Sequence, residues 1–210
     1  MSKHKRMRRT LSFLLLCLIL VTSLPSCGSK APELEEVYDR LVELIDRSVE
    51  VNVLLFGAGV PVYERDSEED ALIHRYFGLG DDSVLMVSAY ARYTSLEDMQ
   101  AAIREVYSPS YAESLIETVF TGYVAGDGSV VAPRYTEGTY GLLCSADYQP
   151  LVSGVRIFNY ATIAIEPSST STYLKVSVLS RQDDPNSQWM KTTLSFAYEN
   201  GNWFLDGPSC

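Results

Sequence analysis

Few side chains in this 210-residue chain have the chemistry for catalysis or metal ligation. There are two histidines, His4 and His74, and four cysteines, Cys17, Cys27, Cys144 and Cys210. His74 is the only histidine beyond the N-terminal segment, so a Ser-His or Cys-His dyad would have to use it. It sits beside Arg75 in an acidic stretch, where a partly exposed structural role is the plainer reading. The run Asp66, Glu68, Glu69, Asp70 gathers carboxylates, but it lacks the alternating oxygen ligands and central Gly of a calcium loop. It reads instead as a solvated helix start, with Ser67 and Asp70 as a capping box for a short helix through Phe77. Gly57-Ala58-Gly59 ahead of Val60-Pro61 is a helix stop and not a phosphate cradle, because no helix begins after it. With no Walker loop, dinucleotide fingerprint, zinc-type Cys pattern or HExxH, the sequence predicts no cofactor and no metal.

The remaining reactive residue, Cys27, takes its meaning from what precedes it. Lys3, Lys5, Arg6, Arg8 and Arg9 stand ahead of an uncharged stretch from Leu11 to Leu24, too short for the roughly 20 residues of a membrane-spanning helix. That pattern is an export signal; the alternative is an N-terminal anchor that is never cut. Leu24-Pro25-Ser26-Cys27 resembles the lipobox of bacterial lipoproteins, with Pro25 where a small or hydroxyl residue is usual. The resemblance implies that residues 1–26 are removed and that Cys27 becomes a diacylglyceryl-bearing, palmitate-type N-terminus. The chain would then be a lipoprotein on the extracytoplasmic face of the cell membrane. Its partner there would be the membrane itself, through the lipid. At least two acyl chains give firm attachment where one does not.

Losing five of the 17 basic residues leaves twelve against 27 acidic ones, a formal charge of −15 over residues 27–210. Such a body is repelled by anionic lipid, and it is unsuited to nucleic acid, whose binding depends on clustered Lys and Arg. Residues 27–32 form the anchor and a tether of about 17 Å when extended, so the domain of residues 33–210 works close to the membrane.

That domain reads as α+β, with N-terminal helices packed on a curved antiparallel β-sheet meander. Pro32 opens a first helix whose Leu34, Val37, Leu41, Leu44, Ser48, Val51 and Leu55 form one stripe, with Glu36–Arg40 and Glu43–Arg47 as i, i+4 pairs on the wet side. Ser83 to Tyr93 alternates as a strand. Ser95 with Asp98, and Ser110 with Glu113, cap two helices separated by Pro109; Leu96, Met99, Ile103 and Val106 line the first, and Tyr111, Leu115, Thr118 and Val119 the second. From Gly126 turns recur at hairpin spacing. A ribbon runs Ser129 to Tyr135, Thr136-Glu137-Gly138 turns it, and Thr139 to Tyr148 returns. Val155, Ile157, Ala161, Ile163 and Ile165 share one face of the next strand; Leu174, Val176 and Val178 share one face of its successor. Asn200-Gly201 is a favoured two-residue turn that sets Tyr198 against Trp203 and Phe196 against Leu205.

The run YARYTSLEDMQAAIREVYSPSYAESLIETVF, the Gly126-Asp127-Gly128-Ser129-Val130 ribbon and the closing Glu199-Asn200-Gly201-Asn202-Trp203 together resemble the IseA-type proteins of Gram-positive bacteria. Those are described as secreted or lipid-anchored inhibitors of cell-wall DL-endopeptidases. Similar patterns occur in nuclear-transport-factor-two-like and cystatin-like lipoproteins. The resemblance implies a fold and a class of partner, a cell-envelope murein endopeptidase, and it identifies no inhibitory residue.

Two further features are expectations of the sequence. Cys144 and Cys210 are the only cysteines left to form a disulfide, the alternative being a buried thiol and a terminal one. Arg156, Phe158 and Tyr160 alternate with their strand's core positions, as Tyr173 and Lys175 do on the next. Arg156, Tyr160, Tyr173 and Lys175 are therefore expected on one outward face, as a binding platform or a merely wet surface. The functional expectation is a lipid-anchored, non-catalytic binding module that modulates cell-wall hydrolases. Its alternative is a cystatin-like pocket that binds or transforms a small molecule.

Overall fold

The first helix, α1 (Leu34–Phe56), follows the apolar stripe: Val37, Leu41, Leu44, Ile45, Ser48, Val51 and Leu55 are buried along it. The computed structural model in which it is seen describes residues 30–64, 67–69, 84–139, 141–146 and 155–209. Each fully buried Leu or Ile of the stripe contributes on the order of 2 kcal/mol of apolar transfer. Pro32 lies one residue outside the helix, and Glu33 is the N-cap, in a capping box with Glu36. Because the Glu36 carboxylate accepts from the Glu33 N–H (3.2 Å), the expected Glu36–Arg40 pair gives way to Arg40–Glu43 (2.9 Å). Glu43–Arg47 is present at 3.8 Å. Arg40 also reaches the Trp203 carbonyl through Nε and Nη2 (3.3 and 3.2 Å), tying the helix to the last strand.

Strand β1 (Val84–Met86) is much shorter than the expected Ser83–Tyr93. Val87 adds a single bridge to Val62, and then Ser88 breaks the pattern: the Ala91 N–H donates to Ser88 O (2.9 Å) and the Tyr90 N–H to its hydroxyl (3.3 Å), a local turn that competes with extension. Helix α2 (Leu96–Val106) has its expected cap, with Ser95 Oγ accepting from the Asp98 N–H (3.1 Å). Helix α3 (Pro109–Thr121) starts earlier than Ser110: Pro109 occupies its first turn, Ser108 is the N-cap, and Glu113 bonds Arg104 of α2 (2.8 Å). Ala112, Leu115, Ile116 and Val119 are its buried side, while Thr118 is exposed.

The expected ribbon is two structures. Strands β2 (Tyr123–Val124) and β3 (Val130–Val131) make a small hairpin, and β4 (Tyr135–Gly138) incorporates the residues expected to turn. Strand β5 (Gly141–Ser145) lies between β1 and β4. The larger sheet is an antiparallel meander in the order β6 (Arg156–Ile165), β7 (Tyr173–Gln182), β8 (Met190–Glu199), β9 (Asn202–Leu205). Asn200 (φ 51°) and Gly201 (φ 86°) make the final turn, in the expected register. Leu174, Val176, Val178, Leu194, Phe196 and Leu205 cover the sheet's inner face, against which α1 packs.

One irregularity changes the meaning of β6. Its pairing passes from Asn159↔Leu179 to Ala164↔Ser177, so five residues of β6 advance where β7 advances two. An odd insertion swaps the faces. Phe158 and Tyr160 therefore turn inward with Ile163 and Ile165, whereas Val155 and Ala161 are exposed. Thr162 Oγ1 bridges the gap, accepting from the Leu179 N–H (2.9 Å) and donating to Asn159 O (2.7 Å).

Candidate binding cleft

Two valines of α1 lie off its main stripe. Val49 and Val53, one turn apart, face away from the sheet's centre and line a cleft of about 350 Å³ with Glu50, Leu54, the segment Gly59–Pro61, Arg92, Tyr93 and Val155. The walls are mainly apolar. At the rim Arg92 pairs with Glu50 and lies 5.5 Å from the centre of the Tyr93 ring, and Tyr90, in the same turn, is 94% exposed.

A buried cation supports the cleft from behind. Arg134, 3% exposed, donates through Nη2 to Gly57 O (2.7 Å), and Tyr135 donates its hydroxyl to Leu54 O (2.8 Å). Together they satisfy carbonyls at the end of α1, where a positive charge suits the helix dipole. Gly59 (φ +81°) is required here: a Cβ would stand 2.5 Å from Arg134 Nη2 and 2.7 Å from the Tyr135 hydroxyl. Cys144 also lies near Arg134; burial pushes its thiol up, and the guanidinium partly opposes this.

Of the residues expected to matter, Cys27, His74, Asp66, Asp70 and Cys210 lie outside the described residues. Cys144 carries a free, buried thiol. The four platform residues are not brought together. Arg156 and Tyr160 are on the inner side, Arg156 donating to Ser180 Oγ (2.8 Å) and Tyr160 to Asp46 of α1 (2.5 Å). Burial, and then the Asp46 carboxylate, raise the Tyr160 phenol well above its ordinary range. Tyr173 and Lys175 are on the outward side, opposite Ala197 and Ser195. The cause is the β6 insertion, which no alternation pattern can register.

Among the described residues there is no group of three or more His, Cys, Asp or Glu placed to hold a metal ion, and no helix long and apolar enough to cross a membrane. The cleft itself was missed in sequence because four separate segments build it. Its one signal was Val49 and Val53, an apolar i, i+4 pair on what reads as the polar side of α1. No protein-family model matches the chain, and no curated protein matches it.

Proposed function

We propose that this chain is a lipid-anchored, extracytoplasmic binding module that holds a protein partner of the cell envelope, in the manner that its resemblance to endopeptidase inhibitors implies. The observation that carries the reading is the open apolar cleft at the far end of α1. Lys30, just ahead of the helix, bridges to Thr170, and the cleft lies beside the helix's last turns, most of its about 35 Å length away. An anchor at Cys27 would therefore leave the cleft directed away from the membrane. Its volume holds more than one apolar side chain of a partner, and Tyr90, exposed in the turn that leads to the lining residues Arg92 and Tyr93, offers aromatic contact area of the kind common at interfaces. The acidic body favours a partner with a basic surface and speeds its encounter.

The test uses a purified murein endopeptidase and the full chain in detergent. Val53→Arg, which fills the cleft with charge, should weaken binding at least tenfold, and Tyr90→Ala severalfold, while the melting temperature shifts by only a few degrees. Unchanged binding by both variants would end the proposal. A second reading, a small-molecule pocket, is favoured by the cleft's volume, at the low end of ligand sites. It predicts thermal stabilisation of the isolated chain by a metabolite, with loss in Val53→Arg.

A further inference from the structure

The two ends of the meander differ in charge. At one end the turn between β7 and β8 exposes Asp183 and Asp184, and the Asp183 N–H donates to the carbonyl of Val155, a lining residue of the cleft (2.8 Å). At the other end, about 30 Å away along β7, lie the loop from β6 to β7 and the Asn200-Gly201 turn. They adjoin each other, because the Tyr198 N–H donates to Thr172 O (2.9 Å). Pro167 to Leu174 and Asn200 to Leu205 hold no charged residue, in a chain with 27 acidic ones. Pro167, Ser168, Thr170, Thr172, Asn200 and Asn202 are exposed there. The loop is held in shape by its own hydroxyls: Ser169 Oγ accepts from the Lys175 N–H (3.0 Å) and Thr170 Oγ1 from the Tyr173 N–H (3.1 Å). Lys30 makes a backbone bridge to Thr170, so the segment ahead of α1 is stitched to this same loop. Of the nearby charges, Lys30 pairs with Glu33 (2.5 Å) and Lys191 with Glu166 (2.7 Å), Glu36 caps α1, and Glu35, Lys175 and Glu199 stand at the sides.

We infer that this uncharged end is the surface on which the domain rests against the bilayer that carries its anchor, in contact with the headgroups of zwitterionic phospholipid. The inference rests on the reading of Cys27 as the lipidated residue. From Cys27 to Lys30 the chain spans at most about 11 Å, and the bridge adds about 5 Å, so Thr170 stands within about 16 Å of the acylated residue however the tether lies. A body of formal charge −15 approaches phosphate groups at least cost through an uncharged face, and this end is the one the tether reaches. Its hydroxyls and amides can exchange hydrogen bonds with headgroup oxygens. Tyr198, 42% exposed beside the turn, suits the headgroup level, where tyrosine collects. A protein occupant would require an apolar centre, and here the apolar Leu174 and Trp203 are buried beneath a polar rim.

The experiment uses the lipid-bearing chain, purified from bacterial membranes and reconstituted into phosphatidylcholine vesicles that contain a phosphatidylethanolamine with a photoactivatable group on its headgroup. Flotation with the vesicles checks the anchor first. After illumination, mass mapping should place adducts on residues 167–172 and 198–202 severalfold above residues 183–189. Energy transfer to a dansyl-headgroup lipid is the second readout. Trp203 lies beside the resting end and Trp189 beside the acidic turn, so Trp189→Phe should raise the mean transfer efficiency above that of the unaltered chain. Trp189 is 44% exposed, so this variant keeps the fold. A chain that floats but yields adducts equally at both ends, or none, overturns the inference and leaves the anchor intact, as does a transfer efficiency that Trp189→Phe leaves unchanged. A chain that does not float ends the anchor reading and this inference with it.

Discussion

Cys144 and Tyr160 are weak acids that the fold holds in their neutral forms, the first by burial and the second by burial together with its bond to Asp46. Each is harder to ionise folded than unfolded, so each contribution to stability is whole below the unfolded value, 9.0 for the thiol and 10.0 for the phenol, and declines as pH rises past it. The urea midpoint should therefore fall above about pH 9. The slope attributable to Cys144 is at most about 1.4 kcal/mol per pH unit, and that of half-exposed Tyr160 is smaller because water screens it. Cys144→Ala should flatten the first part of the decline and Tyr160→Phe the later part. A midpoint that stays level to pH 11 in the unaltered chain would contradict both assignments.

Among the elements, β6 depends most on a single side chain. Thr162 replaces ladder hydrogen bonds across the inserted residues, and Thr162→Val keeps the shape while removing both of its bonds. The expected cost is about 1 to 3 kcal/mol, since the Leu179 N–H loses its acceptor. Chemical denaturation with an unchanged m-value would measure it. The elements the sequence revealed best have local causes: the α1 stripe, the Ser95 cap, and the Asn200-Gly201 turn, whose two residues fix the register of Phe196 and Trp203. The β6 insertion was invisible because both faces of that strand are apolar, with Phe158 and Tyr160 on one and Ile157 and Ala161 on the other. Either register satisfies the alternation. For the same reason the outward placement of Tyr173 and Lys175, on regular β7, was legible and the inward placement of Arg156 and Tyr160 was not. Helix α3 was displaced by one feature: Pro109 at the first turn outranks Ser110 as a start signal.

At the scale of the whole molecule, the C-terminal tail closes the fold. Ser209, 3% exposed, accepts from Asn52 Nδ2 (2.7 Å) and donates to Ser48 Oγ (2.7 Å), while Tyr107 donates to Asn52 Oδ1 (3.0 Å). Asp206 accepts from Ser108 Oγ (2.5 Å), so the tail touches both α1 and the start of α3. The tail's own links join residues some 100 to 160 positions apart and are invisible to any local pattern. Ending the chain after Gly207 should cost about 2 kcal/mol or more, because Ser48 and Asn52 are left buried without their partner. Circular dichroism melting would read the loss, and Ser209→Ala should reproduce most of it.

The odd insertion in β6 has a second consequence, for neighbouring molecules. Among the described residues β6 is a terminal strand of its sheet, the position at which a foreign strand can add itself and seed a growing stack. The inserted residues between Asn159 and Ala164 bend the strand and interrupt its regular pairing row, which disfavours such addition. At a crowded surface, where an anchor would hold many copies side by side, the kink acts as a guard against polymerisation.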